Sequence, residues 1–258
     1  MISSLPYAAF FDLDGTLATD NQPPAAEDVA AIRAFRARGN YAFLCTGRST
    51  GYLYPAVLDI GFDGIVAGAG AYITVGDRLV YRNSVSPQTL DPILHRFVGT
   101  PHTLIMETER SMIQLKGCPD ALHVRDYPCI ANAQEWYDRY AQETVSKLTI
   151  YRAPISAALR ELLERDLDVI EHARYCEVVP RGCSKSDGIR RVLEVIGVPR
   201  ENTIAFGDSP NDRDMIVYAG LGVVMGDGDP SVQAIADRVT LPLSQCGVAH
   251  ILNELLDK

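Results

Sequence analysis

The chain has 258 residues, 47% of them hydrophobic, and a formal net charge of −9. That length and apolar content suit one large or two modest globular domains with full cores, and the acidity, with no basic stripe, argues against broad nucleic-acid binding. No stretch reaches the roughly 18 consecutive apolar residues of a membrane helix, and six scattered cysteines without CxxC or Cys/His spacing argue against a disulfide frame or a zinc site. The start, MISSLPYAAFFDLDG, has neither a basic region nor a cleavage signal, so a cytoplasmic location is the default expectation.

In chain order, YAAFFDL (7–13) is a short unbroken apolar run, as in a strand buried on both faces. PAAEDVAAIRAFRARG (24–39) follows with Val29, Ile32 and Phe35 at helical spacing and Gly39 as its end. YAFLCTGRS (41–49) and FDGIVAGAG (62–70) read as further strands, and the strand–helix–strand order predicts a parallel sheet. From about residue 83 to 181 the texture changes to short alternating strands, TLIMETE, SMIQLKG, KLTIYR and CEVVP, mixed with a helical SAALRELLERD. An inserted α+β domain is predicted there. The first rhythm then returns: SKSDGIRRVLEVIG as a helix, NTIAFGDS as a strand, PNDRDMIVYAG as a helix with Pro210 at its start, and LGVVMGDG as a strand. The fold class is therefore α/β, a parallel-sheet core flanked by helices and interrupted by the insert.

Parallel sheets carry functional residues in the loops after the carboxyl ends of their strands, and Asp12, Thr46 and Asp208 each stand at such an end. They are expected to converge on one crevice. Asp12, flanked by turn amides toward Gly15, is placed to act as a carboxylate nucleophile. Asp12, Asp208 and Asp212 offer hard oxygen ligands suited to Mg²⁺, which takes few carboxylates, some water and substrate phosphate. A phosphoryl group fits such a site. The five histidines share no spacing that would bind a metal, and GAGAY (68–72) lacks the third glycine of a dinucleotide loop and reads as a tight turn.

FFDLDGTL, LCTGRS, SKSDGIRRVL and GDSPNDRDM, in that order, resemble the four motifs of the haloacid-dehalogenase phosphatase superfamily. The strand-rich insert between the second and third resembles the type IIB cap of its Cof-type sugar-phosphatase branch. EVVPRGCSK, AGLGVVMGDGDPSVQAIADRVT and GVAHIL are similar to that branch as well. The resemblance implies a Rossmann-like catalytic core over 1–82 and 182–258, and a cap over 83–181. It also implies roles for single residues. Asp12 would be the nucleophile that becomes an aspartyl phosphate and touches Mg²⁺, and Asp14 the general acid and later base, with its backbone carbonyl on the metal. Thr46 and the Gly47 amide would hold phosphate oxygens, and Lys185 would neutralise the carboxylate and phosphate charge. Asp208 would be a direct metal ligand, Asp212 a metal ligand directly or through water, and Asn211 a phosphate contact. Arg48 is read as either a substrate contact or a structural ion pair.

Three positions depart from the family pattern: Ala69 and Asp227, where Asn is common, and Cys246, where Asp often precedes Gly-Val. The implied activity is Mg²⁺-dependent hydrolysis of a small phosphorylated metabolite, foremost a sugar phosphate. Two other readings stay open. A phosphomutase shares both acids and returns the phosphoryl group to a sugar. A phospho-aspartate signalling domain shares the acids, Thr and Lys, but gains nothing from Asp14 or a cap.

Overall fold

The computed structural model describes residues 6–152, 154–172 and 174–256. The first five residues, part of the start read above for a leader, lie outside the described residues. The chain forms two compact units: one of the segments up to Gly47, Leu53–Tyr81 and from Ser184 onward, the other of Arg48–Tyr52 and Arg82–Cys183. The resemblance puts residues 48–52, 82 and 182–183 in the core; the structure groups them with the insert. Within that second unit Thr50 Oγ1 donates to the Glu109 carbonyl at 2.9 Å, a contact across 59 residues that no local pattern reveals.

The elements in chain order are β1 (Ala8–Phe11), α1 (Ala26–Ala37), β2 (Tyr41–Cys45), α2 (Pro55–Leu58), β3 (Gly64–Ala67), β4 (Tyr72–Val75) and β5 (Arg78–Arg82). The second unit follows with α3 (Pro87–Phe97), β6 (Thr103–Thr108), β7 (Met112–Lys116), β8 (Cys129–Ile130), α4 (Ala133–Tyr140), β9 (Val145–Tyr151), α5 (Ala157–Leu163), β10 (Leu167–Glu171) and β11 (Tyr175–Pro180). The first unit resumes with α6 (Lys185–Ile196), β12 (Thr203–Gly207), α7 (Arg213–Tyr218), β13 (Leu221–Val224), α8 (Pro230–Gln233), β14 (Arg238–Val239) and α9 (Gly247–Leu256).

All of β1 is buried, because successive side chains enter opposite layers and both layers are filled. Phe10 stacks on Phe43 of β2 with ring centroids 5.2 Å apart, while Phe11, on the other face, stacks on Phe206 of β12 at 5.0 Å. Phe11 belongs to the layer of α1 and α9, with Ile32, Phe35, Val248 and Leu252. Phe10 belongs to the layer of α6 and α7, with Ile189, Val192, Met215 and Ile216. Burying each such large apolar side chain contributes about 1.5–3 kcal/mol, which is why a strand this short can hold the centre of a sheet.

Among the described residues that sheet runs β14-β13-β12-β1-β2-β3-β4-β5. It is parallel from β14 to β3. Beyond this parallel core the β3–β4 pair is antiparallel. The cause is the turn between them: Gly68, Ala69 and Gly70 all take positive φ, 57, 52 and 94°, and reverse the chain in far fewer residues than a parallel crossover needs.

The second unit is a sheet of order β10-β11-β9-β6-β7-β8. One face meets α3, α4 and α5 through Leu104, Met106, Leu148, Ile150, Phe97 and Trp136. The other carries polar residues that are nevertheless buried. Lys147 donates to Glu177 at 2.7 Å and lies 3.5 Å from Glu107, which accepts from Thr149 at 2.5 Å. The alternating pattern predicts half-exposed strands; mutual pairing of these groups lets them be buried instead. Among the described residues no helix is long and apolar enough to cross a membrane.

Candidate active site

Asp12, Thr46 and Asp208 belong to the first unit and stand at the carboxyl ends of β1, β2 and β12. Asp12 extends the β1–β12 ladder by one bond, its amide donating to the Phe206 carbonyl at 2.9 Å, so its carboxylate emerges where the strand stops. Asp208 follows β12 directly. Thr46 follows β2 and is fully buried; its amide donates to Val66 at 2.8 Å and its carbonyl accepts from Ala69 at 3.1 Å, which ties this loop to the β3–β4 turn.

Lys185 is the first residue of α6 and only 1% exposed. Its ammonium donates to Asp12 Oδ1 and to Asp212 Oδ1, each at 2.5 Å. Asp212 ends the 3-10 turn Pro210–Asp212, and its second oxygen accepts from the amides of Asp208 and Ser209 at 3.0 Å each. The loop after β12 is thus folded around the carboxylate that receives the lysine. Asp208 is oriented by Thr16, whose hydroxyl donates to its Oδ1 at 3.2 Å. Gly15 makes room for that carboxylate: it has φ +91°, and a Cβ there would sit 2.3 Å from Asp208 Oδ2.

The ligand oxygens of Asp12, Asp208 and Asp212 all lie within 4.8 Å of one another. Burial first, then the Asp212 and Asp208 charges, push the Asp12 carboxyl well above its ordinary range against the pull of Lys185. Burial and Asp212 push Asp208 up to about 7, with the Thr16 hydrogen bond opposing. For Lys185 burial disfavours the ammonium, but Asp12 and Asp212 overcome it and raise its pKa. Three carboxyl groups gathered this closely, two of them buried with Lys185 and Asp208 half-buried beside them, repel one another when ionised, a costly arrangement that a divalent cation relieves. Hard oxygen donors of this kind suit Mg²⁺.

The other sequence-predicted residues are placed as follows. Asp14 is exposed in the turn that pairs it with Ala18, outside the three-carboxylate group, and its charge adds to the upward push on Asp208. Gly47 is half-buried beside Thr46. Asn211 is half-buried in the 3-10 turn, its side-chain oxygen accepting from Ser209 at 2.6 Å. Arg48 belongs to the second unit, where its guanidinium lies 4.3 Å over the Tyr52 ring and donates to the Tyr52 carbonyl at 3.3 Å. Thr16 and Ser209 are site residues that the spacing argument passes over, although Thr16 stands within the quoted DLDGT.

A family model described as haloacid dehalogenase-like hydrolase matches residues 9–252. The putative phosphatase YkrA of Bacillus subtilis is 28% identical over 254 residues, covering 95% of this chain and 96% of YkrA. The 5-amino-6-(5-phospho-D-ribitylamino)uracil phosphatase YitU of the same organism is 26% identical, covering 96% of this chain and 97% of its own length. Among solved structures, the HAD subclass IIB sugar phosphatase BT4131 superposes with a TM-score of 0.77 at 25% identity, covering 96% of this chain and 98% of that one. With the family match spanning almost the whole length and the acids gathered at the strand ends as such a hydrolase requires, the chain belongs to the haloacid dehalogenase-like hydrolase family.

Proposed function

We propose that the protein is a Mg²⁺-dependent phosphatase that hydrolyses small phosphorylated metabolites, foremost sugar phosphates, through an aspartyl phosphate on Asp12. The observation that carries this reading is the bridging of Asp12 and Asp212 by the buried Lys185, with Asp208 completing the cluster. Phosphoryl transfer is catalysed mainly by positioning and by cancelling charge on the equatorial oxygens, and this cluster supplies both.

In this reading an Asp12 oxygen attacks phosphorus, the bond from phosphorus to the ester oxygen breaks, and Asp14 gives that oxygen its proton. Water then attacks the phosphorus of the acyl phosphate while Asp14 takes its proton, which releases inorganic phosphate and restores the Asp12 carboxylate. Thr46, the Gly47 amide and Asn211 hold the phosphate oxygens, and Lys185 neutralises the carboxylate and phosphate charge. Asp12, Asp208, Asp212 and the Asp14 carbonyl would hold Mg²⁺, which supplies charge neutralisation for an anionic substrate. The second unit is read as a type IIB cap, a reading that the subclass IIB name of BT4131 supports. A sugar or sugar-like phosphate is favoured because BT4131 is named a sugar phosphatase and the substrate named for YitU carries its phosphate on a ribityl chain.

The test is phosphate release by the purified protein from a panel of sugar, polyol, nucleotide and cofactor phosphates, with Mg²⁺ and with chelator. Release from at least one sugar or polyol phosphate, abolished by chelator and restored by Mg²⁺, is expected. Isomerised sugar phosphate without free phosphate would make the protein a mutase; full turnover in chelator would remove the metal from the reading.

A further inference from the structure

The position of Lys185 depends on the first turn of α6, whose amides need acceptors from outside the helix. Ser184 Oγ accepts from the Asp187 amide at 3.1 Å. The Ser186 amide, next in the chain to Lys185, donates to Asp214 Oδ2 of α7 at 2.8 Å. Asp214 stands two residues after Asp212, the residue that receives the Lys185 ammonium. Two contacts therefore join the same two short segments, 185–186 and 212–214, one through the lysine side chain and one through the neighbouring backbone. They close a ring that fixes the start of α6 along α7. From another side Gly70 abuts the Ser184 carbonyl so closely that a Cβ there would lie 2.2 Å from its oxygen. A carboxylate at the positive end of the α6 dipole also stabilises the contact.

We propose that Asp214 is a positioning residue for Lys185: its hydrogen bond to the Ser186 amide holds the first turn of α6 where the ammonium reaches Asp12 and Asp212 together. The consequence for turnover rests on the phosphatase reading above; the consequence for Lys185 itself does not. The ammonium is 1% exposed and donates to both carboxylates at once, so a shift of its helix disturbs both contacts together. Removing the Asp214 acceptor leaves the Ser186 amide without that partner and frees the turn to move. A displacement on the order of 1 Å at a charge-positioning group costs about 10²-fold in rate.

Two readouts on two variants test this. Asp214→Ala removes the acceptor; Asp214→Asn keeps an acceptor oxygen and loses the charge. In Asp214→Ala, kcat for p-nitrophenyl phosphate is expected to fall about 10²-fold with KM within about threefold. Reductive methylation followed by peptide mass spectrometry is expected to label Lys185 far faster than in the parent protein. Asp214→Asn should restore the rate to within about threefold and restore the protection of Lys185, because the hydrogen bond to the amide is kept. Asn132→Ala removes a cap of the same kind from α4 in the second unit and should leave Lys185 protected. If Asp214→Ala does not fold, Asp214→Ser, too short to reach the amide, replaces it. Lys185 as protected in the Ala or Ser variant as in the parent, or an Asn variant as impaired as Ala, overturns the proposal. A parent protein that hydrolyses no phosphate ester, with the labelling pattern as expected, overturns the phosphatase reading and leaves the positioning role standing.

Discussion

Lys185 and Asp12 are 173 residues apart in the chain and 2.5 Å apart in the fold. Because the same ammonium also serves Asp212, Lys185→Met takes their shared positive partner from two buried carboxylates that have Asp208 close by. The expected result is a loss of about 10²–10³ in kcat, the range seen when one preorganised charge-stabilising donor is removed, together with a lower thermal midpoint. Mg²⁺ should raise the midpoint of this variant more than that of the parent, since the cation then supplies charge that the lysine no longer provides. Turnover within tenfold of the parent would contradict the role given to Lys185.

Gly15→Ala places a methyl group 2.3 Å from Asp208 Oδ2 at a backbone φ of +91°. The backbone strain is about 1–2 kcal/mol for a residue with a Cβ, and the carboxylate must move as well. The expected effect is a Mg²⁺ affinity weaker by about tenfold or more, read by titration calorimetry, while the far-ultraviolet circular dichroism stays that of the parent. An unchanged affinity would show that Asp208 does not hold the cation.

β1 is legible in the sequence because an unbroken apolar run of four residues makes sense only with both faces covered, and the crevice is legible because strand ends fix where Asp12 and Asp208 emerge. The Thr16–Asp208 contact spans 192 residues and leaves no trace in any local period. The Glu107–Lys147–Glu177 group is hidden for a related reason: each residue occupies a position that alternation reads as solvent-facing, and only the three together make burial tolerable. Asp28 looks like an ordinary acid in the first turn of α1, yet it is fully buried, because one of its oxygens accepts from the Ala249 amide at the start of α9 at 2.7 Å.

Asp28 supplies the pH prediction. Burial, opposed by the Ala249 hydrogen bond and reinforced by the Glu27 charge, raises its carboxyl to about 6. The folded state therefore holds this proton more tightly than the unfolded chain, whose carboxyl titrates near about 3.9. The ionised form destabilises the fold above pH 6, and that penalty fades as the pH falls through 6 toward 4. Asp28→Asn keeps the acceptor for Ala249 and removes the charge. The thermal midpoint of the variant minus that of the parent should thus be greater at pH 8 than at pH 4.5, by roughly 2–4 °C for each kcal/mol recovered. A difference that does not change with pH would mean that Asp28 is not the titrating group.

The last prediction separates Asp12 from Asp14, which stand two residues apart and differ in exposure: the first is buried at 4%, the second lies open in its turn. If Asp12 is the nucleophile as proposed, Asp12→Asn removes the attacking oxygen and should abolish both phosphoenzyme and turnover with every substrate, by a factor on the order of 10³ or more. Asp14→Asn keeps the backbone carbonyl and removes only the side-chain acid proposed as proton donor and base. Nitrophenolate leaves without much help from an acid, so with p-nitrophenyl phosphate this variant should complete the first step and stall at the second. A burst of nitrophenol equal to the enzyme concentration, with labelled phosphate trapped on Asp12, is the expected signature. A sugar phosphate, whose alkoxide is a poor leaving group, should give no burst. Absence of a burst with any leaving group, or recovery of the label on another residue, would overturn this division of labour between the two acids.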